Sequence, residues 1–96
     1  MEIKTTNHGI CSVKKNKYPS NGNLILGLVD ETGQSVANIT TNVIPLAENE
    51  FLANVNNIGP TLWSEIVASG LFEETGEKVP SGYCVYPVCK LVKELA

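Results

Sequence analysis

The residues best equipped for chemistry are His8, Cys11, Cys84 and Cys89, which read as H-x2-C and C-x4-C from opposite ends of the chain. Structural zinc wants four nitrogen or sulfur ligands, closely spaced within each pair and carried on turns that let both side chains converge. Here Cys11 and Cys84 fall inside strand-like patterns, where an odd spacing sends the two members of a pair to opposite faces. The expectation is therefore no metal and no cofactor, with buried or half-buried thiols and a turn histidine, because a free cysteine packs as a small hydrophobe. Three cysteines cannot form a complete disulfide framework, and a Cys11 to Cys84 bridge would need an oxidising compartment.

Acid-base machinery is scarce. One histidine and one aspartate leave little from which to build a nucleophile, a base and an orienting carboxylate, and no nucleophile-elbow sequence occurs. Glycines stand singly in turns, so no phosphate-cradling loop is present, and neither acidic cluster has calcium-loop spacing. The expectation is a protein that is not an enzyme. Asn38-Ile39-Thr40 matches a glycosylation acceptor and is taken as coincidence. Lys14-Lys15-Asn16-Lys17 reads as a solvated strand end that blocks edge association.

Charge is informative by position. Lys4, Lys14, Lys15 and Lys17 against Glu2 give residues 1–29 a charge of +3. Residues 30–77 hold Asp30, Glu31, Glu48, Glu50, Glu65, Glu73, Glu74 and Glu77 with no base, a charge of −8. Lys78, Lys90 and Lys93 against Glu94 give +2, which completes the formal net charge of −3. All seven cations are lysine. Without arginine the chain lacks the bidentate guanidinium contacts that read guanine or clamp phosphate, and its acidic middle repels polyanions. Direct nucleic-acid binding is disfavoured. A protein partner with a basic surface is the expected match, met by Asp30, Glu31, Glu48, Glu50, Glu73, Glu74 and Glu77.

The elements that must position these residues are short. Ninety-six residues hold one domain, residues 1–96, with 43% hydrophobic and 18% charged residues, an ordinary globular composition. No apolar run approaches the ~18 residues of a membrane span, and Met1–Thr5 lacks the apolar stretch of a signal peptide, so a cytoplasmic protein, monomeric or weakly dimeric, is expected. Strands are expected at Glu2–Thr5, Ile10–Lys15 and the apolar run Leu24–Val29, where Gly27 marks a bulge or a close approach. A type I turn closing on a left-handed Gly33 joins Leu24–Val29 to a strand over Ser35–Val43. The pattern acid-Glu-Thr-Gly-x-x-Val occurs at Asp30–Val36 and again at Glu73–Val79, which predicts a second hairpin pairing Leu71-Phe72 with Glu77–Val79. A short extended stretch, Phe51–Val55, is followed by a break at Asn56–Gly59. The helix runs from Pro60 to about Ser69, with Pro60 in the first turn, Leu62, Trp63, Ile66 and Val67 on one face, and Gly70 as the left-handed stop. Tyr83–Leu91 is a strand that must lie at an edge or bend at Pro87. The asparagines read as turn formers. Together these predict an α+β fold: a mostly antiparallel, twisted sheet of five or six strands with one amphipathic helix packed on a face, anchored by Trp63 and Phe72.

Several stretches carry a resemblance: Lys4–Gly9, Asn21–Leu24, Leu28–Gly33, Leu46–Phe51, Val79–Tyr83 and Cys89-Lys90-Leu91. They resemble an uncharacterised family of proteins of this size encoded on conjugative elements, plasmids and phages of gut-dwelling Gram-positive bacteria. The likeness runs nearly end to end, and its motifs are turns and strand edges. In size and setting the chain is also similar to some anti-CRISPR proteins against type II effectors. The resemblance implies an inhibitor of host defence that binds an RNA-guided nuclease, or its guide-loading surface, by setting acidic turns against a channel built to hold nucleic acid. An accessory or regulatory protein of the mobile element, binding transfer or replication machinery, is the alternative it leaves open.

Overall fold

A computed structural model describes residues 1–93. Among the described residues, eight strands form two four-stranded antiparallel sheets, and two short helices connect strands of the second. The first sheet holds β1 (Glu2–Thr5), β2 (Gly9–Lys17), β3 (Leu24–Val29) and β4 (Ser35–Asn38) in that order. The second is ordered β5-β6-β8-β7, from β5 (Thr40–Thr41), β6 (Glu50–Ala53), β7 (Phe72–Ser81) and β8 (Cys84–Leu91). The helices α1 (Val55–Ile58) and α2 (Pro60–Ala68) lie between β6 and β7. The α+β description holds in outline, but the single sheet of five or six strands does not.

The division into two sheets occurs at Ile39. The run expected as one strand over Ser35–Val43 pairs with β3 as far as Asn38 and then with β6 from Thr40. Ile39 is fully buried at the corner, its N–H donating to the Leu26 carbonyl and its own carbonyl accepting from the Asn54 N–H. Thr40 follows it into the interior, where its hydroxyl oxygen accepts the Leu26 N–H at 3.3 Å. A buried hydroxyl is tolerated because it is paired.

Leu24, Leu26 and Leu28 of β3 are buried on one side, and Ile25, Gly27 and Val29 are half-buried on the other. The core between the sheets gathers Ile3, Cys11, Val13, the β3 leucines, Ile39, Phe51, Ile66, Leu71, Phe72 and Cys89. Phe72 is its pivot. It meets Phe51 edge-on at 5.5 Å and Trp63 at 5.2 Å with a 31° tilt, both favourable aromatic geometries. Trp63 itself is half-buried and packs on the core's margin.

The helix begins at Pro60, as its fixed φ requires, and is followed by a left-handed Gly70 at φ 73°. Its buried face is narrower than the spacing predicts: Ile66 is buried, Leu62 and Trp63 are partly so, and Val67 is 48% exposed. With α2 lying against β1, a nine-residue helix offers one turn of full contact, and Val67 rotates out of it. Val55, expected to be extended, begins the single turn of α1, and Gly59 at φ 90° separates the two helices.

The second expected hairpin is absent. Phe72–Ser81 is one strand that passes through Glu73–Gly76 with a register irregularity between Glu74 and Lys78, and turns at Gly82-Tyr83 into β8. Pro87 sits where β8 changes character. From Val88 to Lys90 the strand lies between β6 and β7; before Val88 it pairs with β7 alone. A residue without an N–H is accommodated at that boundary. Beyond it the hairpin continues as a two-stranded ribbon, with Val85 half-exposed and Tyr83 fully exposed at the tip. Gly27 marks no close backbone approach, since a Cβ there would meet nothing within 4 Å, and the sheet's irregularity falls one residue later, between Leu28 and Val29.

Candidate functional site

The structure separates the expected acidic residues into two groups. Asp30 and Glu31 occupy the tip of the β3-β4 hairpin, beside the β1-β2 turn, where Glu31 Oε1 would lie 3.4 Å from a Cβ on Gly9. Glu48, Glu50, Glu73, Glu74 and Glu77 belong to the second sheet and the loop that enters it. Glu48 lies by Leu24, at the opposite end of β3 from Asp30, and six extended residues separate those ends by about 17 Å.

Asp30 is committed to its own turn. One carboxylate oxygen accepts the Thr32 hydroxyl at 2.6 Å, the Thr32 N–H at 2.9 Å and the Gln34 N–H at 3.0 Å. The Thr32 hydroxyl leads in holding this carboxyl below its ordinary value of 3.8, opposed by partial desolvation and helped by the Gln34 and Thr32 N–H groups and by His8. The Gly33 N–H donates to the Asp30 carbonyl at 3.0 Å, and Gly33 is left-handed at φ 87°, the turn expected there.

The base-free stretch of sequence does not remain base-free in space. Lys90 on β8 stands opposite Glu50 on one side and Glu73 on the other, so three side chains form a cross-strand row of alternating sign. Glu48 shares a groove with Lys15 and Lys17. Glu65 is occupied elsewhere, accepting the Thr6 N–H at 2.8 Å and its hydroxyl at 3.0 Å, which ties α2 to the β1-β2 turn. Glu73, Glu74 and Glu77 are all exposed on β7, the outermost strand of its sheet, and form its one run of carboxylates, with Glu73 opposite Lys90; Glu31 is exposed at the β3-β4 turn. Glu94, the remaining acid of the C-terminal segment, lies outside the described residues.

The cysteines and His8 do not converge. Among the described residues no three or more of His, Cys, Asp and Glu are placed to hold a metal ion. Cys11 is buried, its thiol directed at the His8 carbonyl at 3.7 Å while His8 itself is exposed. Cys84 and Cys89 are five residues apart on β8, so they take opposite faces. Burial, with Glu74 adding its negative charge, pushes the Cys89 thiol up to about 12, so it is protonated and unreactive at neutral pH. All three are free thiols. Partial burial and the neighbouring Cys84 side chain push the Tyr86 phenol up as well.

Two features escape a reading by residue type. Asn23 is a buried hub: its amide donates to Asn42 Oδ1 at 2.8 Å and to the Ile44 carbonyl at 2.6 Å, and its carbonyl oxygen accepts the Leu46 N–H at 3.0 Å. It fastens the loop between β5 and β6 to the β2-β3 turn. The second is the groove that this loop walls, about 410 Å³ in volume, with Lys15, Lys17 and Leu24 on one side and Leu46, Ala47 and Glu48 on the other. The available signal was alternation: Lys15 and Lys17 continue the Cys11-Val13 row, two lysines on the apolar face of a strand.

Among the described residues no helix is long and apolar enough to cross a membrane. The chain matches no family model, no curated protein and no solved structure.

Proposed function

We propose that the chain is a small protein-binding inhibitor that acts without catalysis by placing the carboxylates of β7 on a basic protein surface. The observation that carries this reading is the exposure of Glu73, Glu74 and Glu77 as one run along an outermost strand, of which Glu73 alone is in register with a lysine, whereas Asp30, Glu50 and Glu65 are half-buried and accept hydrogen bonds. Complementary potential speeds encounter and rejects wrong partners. With a net charge of only −3, the contact is local and partly apolar, and the uncharged ribbon residues after Lys78 continue directly from the acidic run. Glu50 and Glu48, each beside a lysine, and Asp30, held in its turn, contribute less.

The partner's identity rests on the resemblance: a type II RNA-guided nuclease, whose channel for a guide-target duplex is positively charged. The test is cleavage by such a nuclease titrated with the wild-type protein, with Glu73→Lys/Glu74→Lys/Glu77→Lys, and with Asp30→Lys/Glu31→Lys. Loss of inhibition in the first variant and near-retention in the second is the expected result. Inhibition unchanged by the triple reversal ends the acidic-strand mechanism. Recovery of transfer or replication machinery from the native host, with no nuclease, favours the accessory-protein reading.

A further inference from the structure

Lys15 and Lys17 are placed unusually for surface lysines. They lie on the side of β2 that faces the core, in the row begun by Cys11 and Val13, and are in register with Leu26 and Leu24 of β3. The row runs beyond the packed interior, and both lysines, exposed, line the 410 Å³ groove together with Leu24. Across it, the loop contributes Leu46 and Ala47 as further apolar surface and Glu48 as a single anion.

Both walls are fixed before anything enters. Asn23 holds Ile44 and Leu46 through the bonds described above. At the rim, Glu50 Oε1 accepts the Ala47 N–H at 3.3 Å, the Glu50 N–H returns to the Ala47 carbonyl at 3.1 Å, and the Asn49 carbonyl accepts the Leu91 N–H at 2.8 Å. Asn49 sits in the left-handed region at φ 66°, alone among the described non-glycine residues, a conformation that such a tight, tied rim imposes and that asparagine tolerates better than most. A prefixed wall saves the ordering cost that a floppy one would charge against binding.

The charge arrangement selects the ligand class. A compact dianion meets Glu48 as well as the lysines, and a simple cation meets two lysines. A small molecule that carries both a carboxylate and an ammonium group, with an apolar side chain beside them, satisfies both walls and lies against Leu24 and Leu46. We propose that this groove binds small zwitterions, namely a free amino acid with an apolar side chain or a short apolar peptide, with the carboxylate between Lys15 and Lys17 and the ammonium group at Glu48. The volume is within the range of small-molecule sites, roughly 300–1,000 Å³. This proposal does not depend on the β7 contact.

The test is a titration of the full chain, followed by amide chemical shifts, with L-leucine, with glycyl-leucine and with the uncharged N-acetyl-leucine amide. Saturable shifts confined to residues 15–24 and 46–49, with the blocked compound at least about tenfold weaker, are expected. Lys15→Ala/Lys17→Ala, at exposed positions that leave the fold intact, weakens binding by about tenfold or more, and Glu48→Lys does so while improving the fit of N-acetyl-leucine, which has only the carboxylate. No saturable shift with either zwitterion, equal response to the blocked amide, or wild-type affinity in the double lysine variant overturns the proposal.

Discussion

Asp30-Glu31-Thr32-Gly33 reverses the chain, whereas Glu73-Glu74-Thr75-Gly76 lets it run on. Both place glycine in the left-handed region, at φ 87° and φ 90°. The difference begins at the first residue. The Asp30 carboxylate is short enough to reach forward to the N–H groups two and four residues on and to the intervening threonine hydroxyl, which closes a turn on itself. Glu73 carries one methylene more and is engaged across the sheet, opposite Lys90, with Glu74 opposite Cys89. The threonine then changes allegiance: the Thr75 hydroxyl donates to the Val88 carbonyl of β8 at 3.0 Å and its oxygen accepts the Glu77 N–H at 3.2 Å. A left-handed glycine within a paired strand makes a bulge instead of a reversal. The lesson is that the same glycine signal is read through what its neighbours can bond to.

Substitution at the glycines should have the largest effect. Gly33→Ala and Gly76→Ala each meet open space, so the cost is conformational alone, about 1–2 kcal/mol in either copy by denaturant unfolding. A much smaller loss at Gly76 would mean that the bulge relaxes and that the likeness between the copies is only apparent. Thr75→Val removes the cross-strand bond and is expected to cost about 1 kcal/mol, with faster amide exchange at Glu77.

Third comes acidification, which discriminates between the first residues of the two copies. Because the Asp30 carboxyl is held below 3.8, its contribution is fully present above that value and is lost as pH falls through its lower folded-state value. The Thr32 and Gln34 amide resonances should therefore move in that acidic range, and Asp30→Asn should abolish the movement and lower Tm more than Glu73→Gln does. Equal Tm losses for the two substitutions would remove the distinction. Smallest is Gly27→Ala, at a strand glycine with no positive φ and an empty Cβ position, where a gain of about 0.5 kcal/mol is expected because the unfolded chain loses freedom. That contrasts with the two left-handed glycines, at which alanine costs.

Local chemistry was legible where a few consecutive residues decide the outcome. Pro60 and Gly70 bracket α2, Gly33 closes its turn, and the alternation of Leu24, Leu26 and Leu28 marks a strand with a buried side. Legibility failed wherever a distant segment casts the deciding vote. Ile39 looks like any strand residue until Leu26 and Asn54 bond it from two directions and split the sheet. Val67 satisfies helical periodicity, yet only its neighbour Ile66 is buried in the core and Val67 stays half exposed. Asn23 reads as one turn former among many, but the loop that reaches it makes it a buried crosslink.

The candidate acidic surface divides along the same line. Composition and order along the chain determined that the cations are all lysine, that the middle is anionic and that no local motif assembles catalytic groups. Only the folded chain decided what each carboxylate meets, by bringing Lys90 between Glu50 and Glu73, Lys15 and Lys17 to Glu48, and Thr6 to Glu65. The reason is range. Turn chemistry and capping act over a few residues and are written in order along the chain, whereas electrostatic neighbourhood depends on distance in space, which strand register sets.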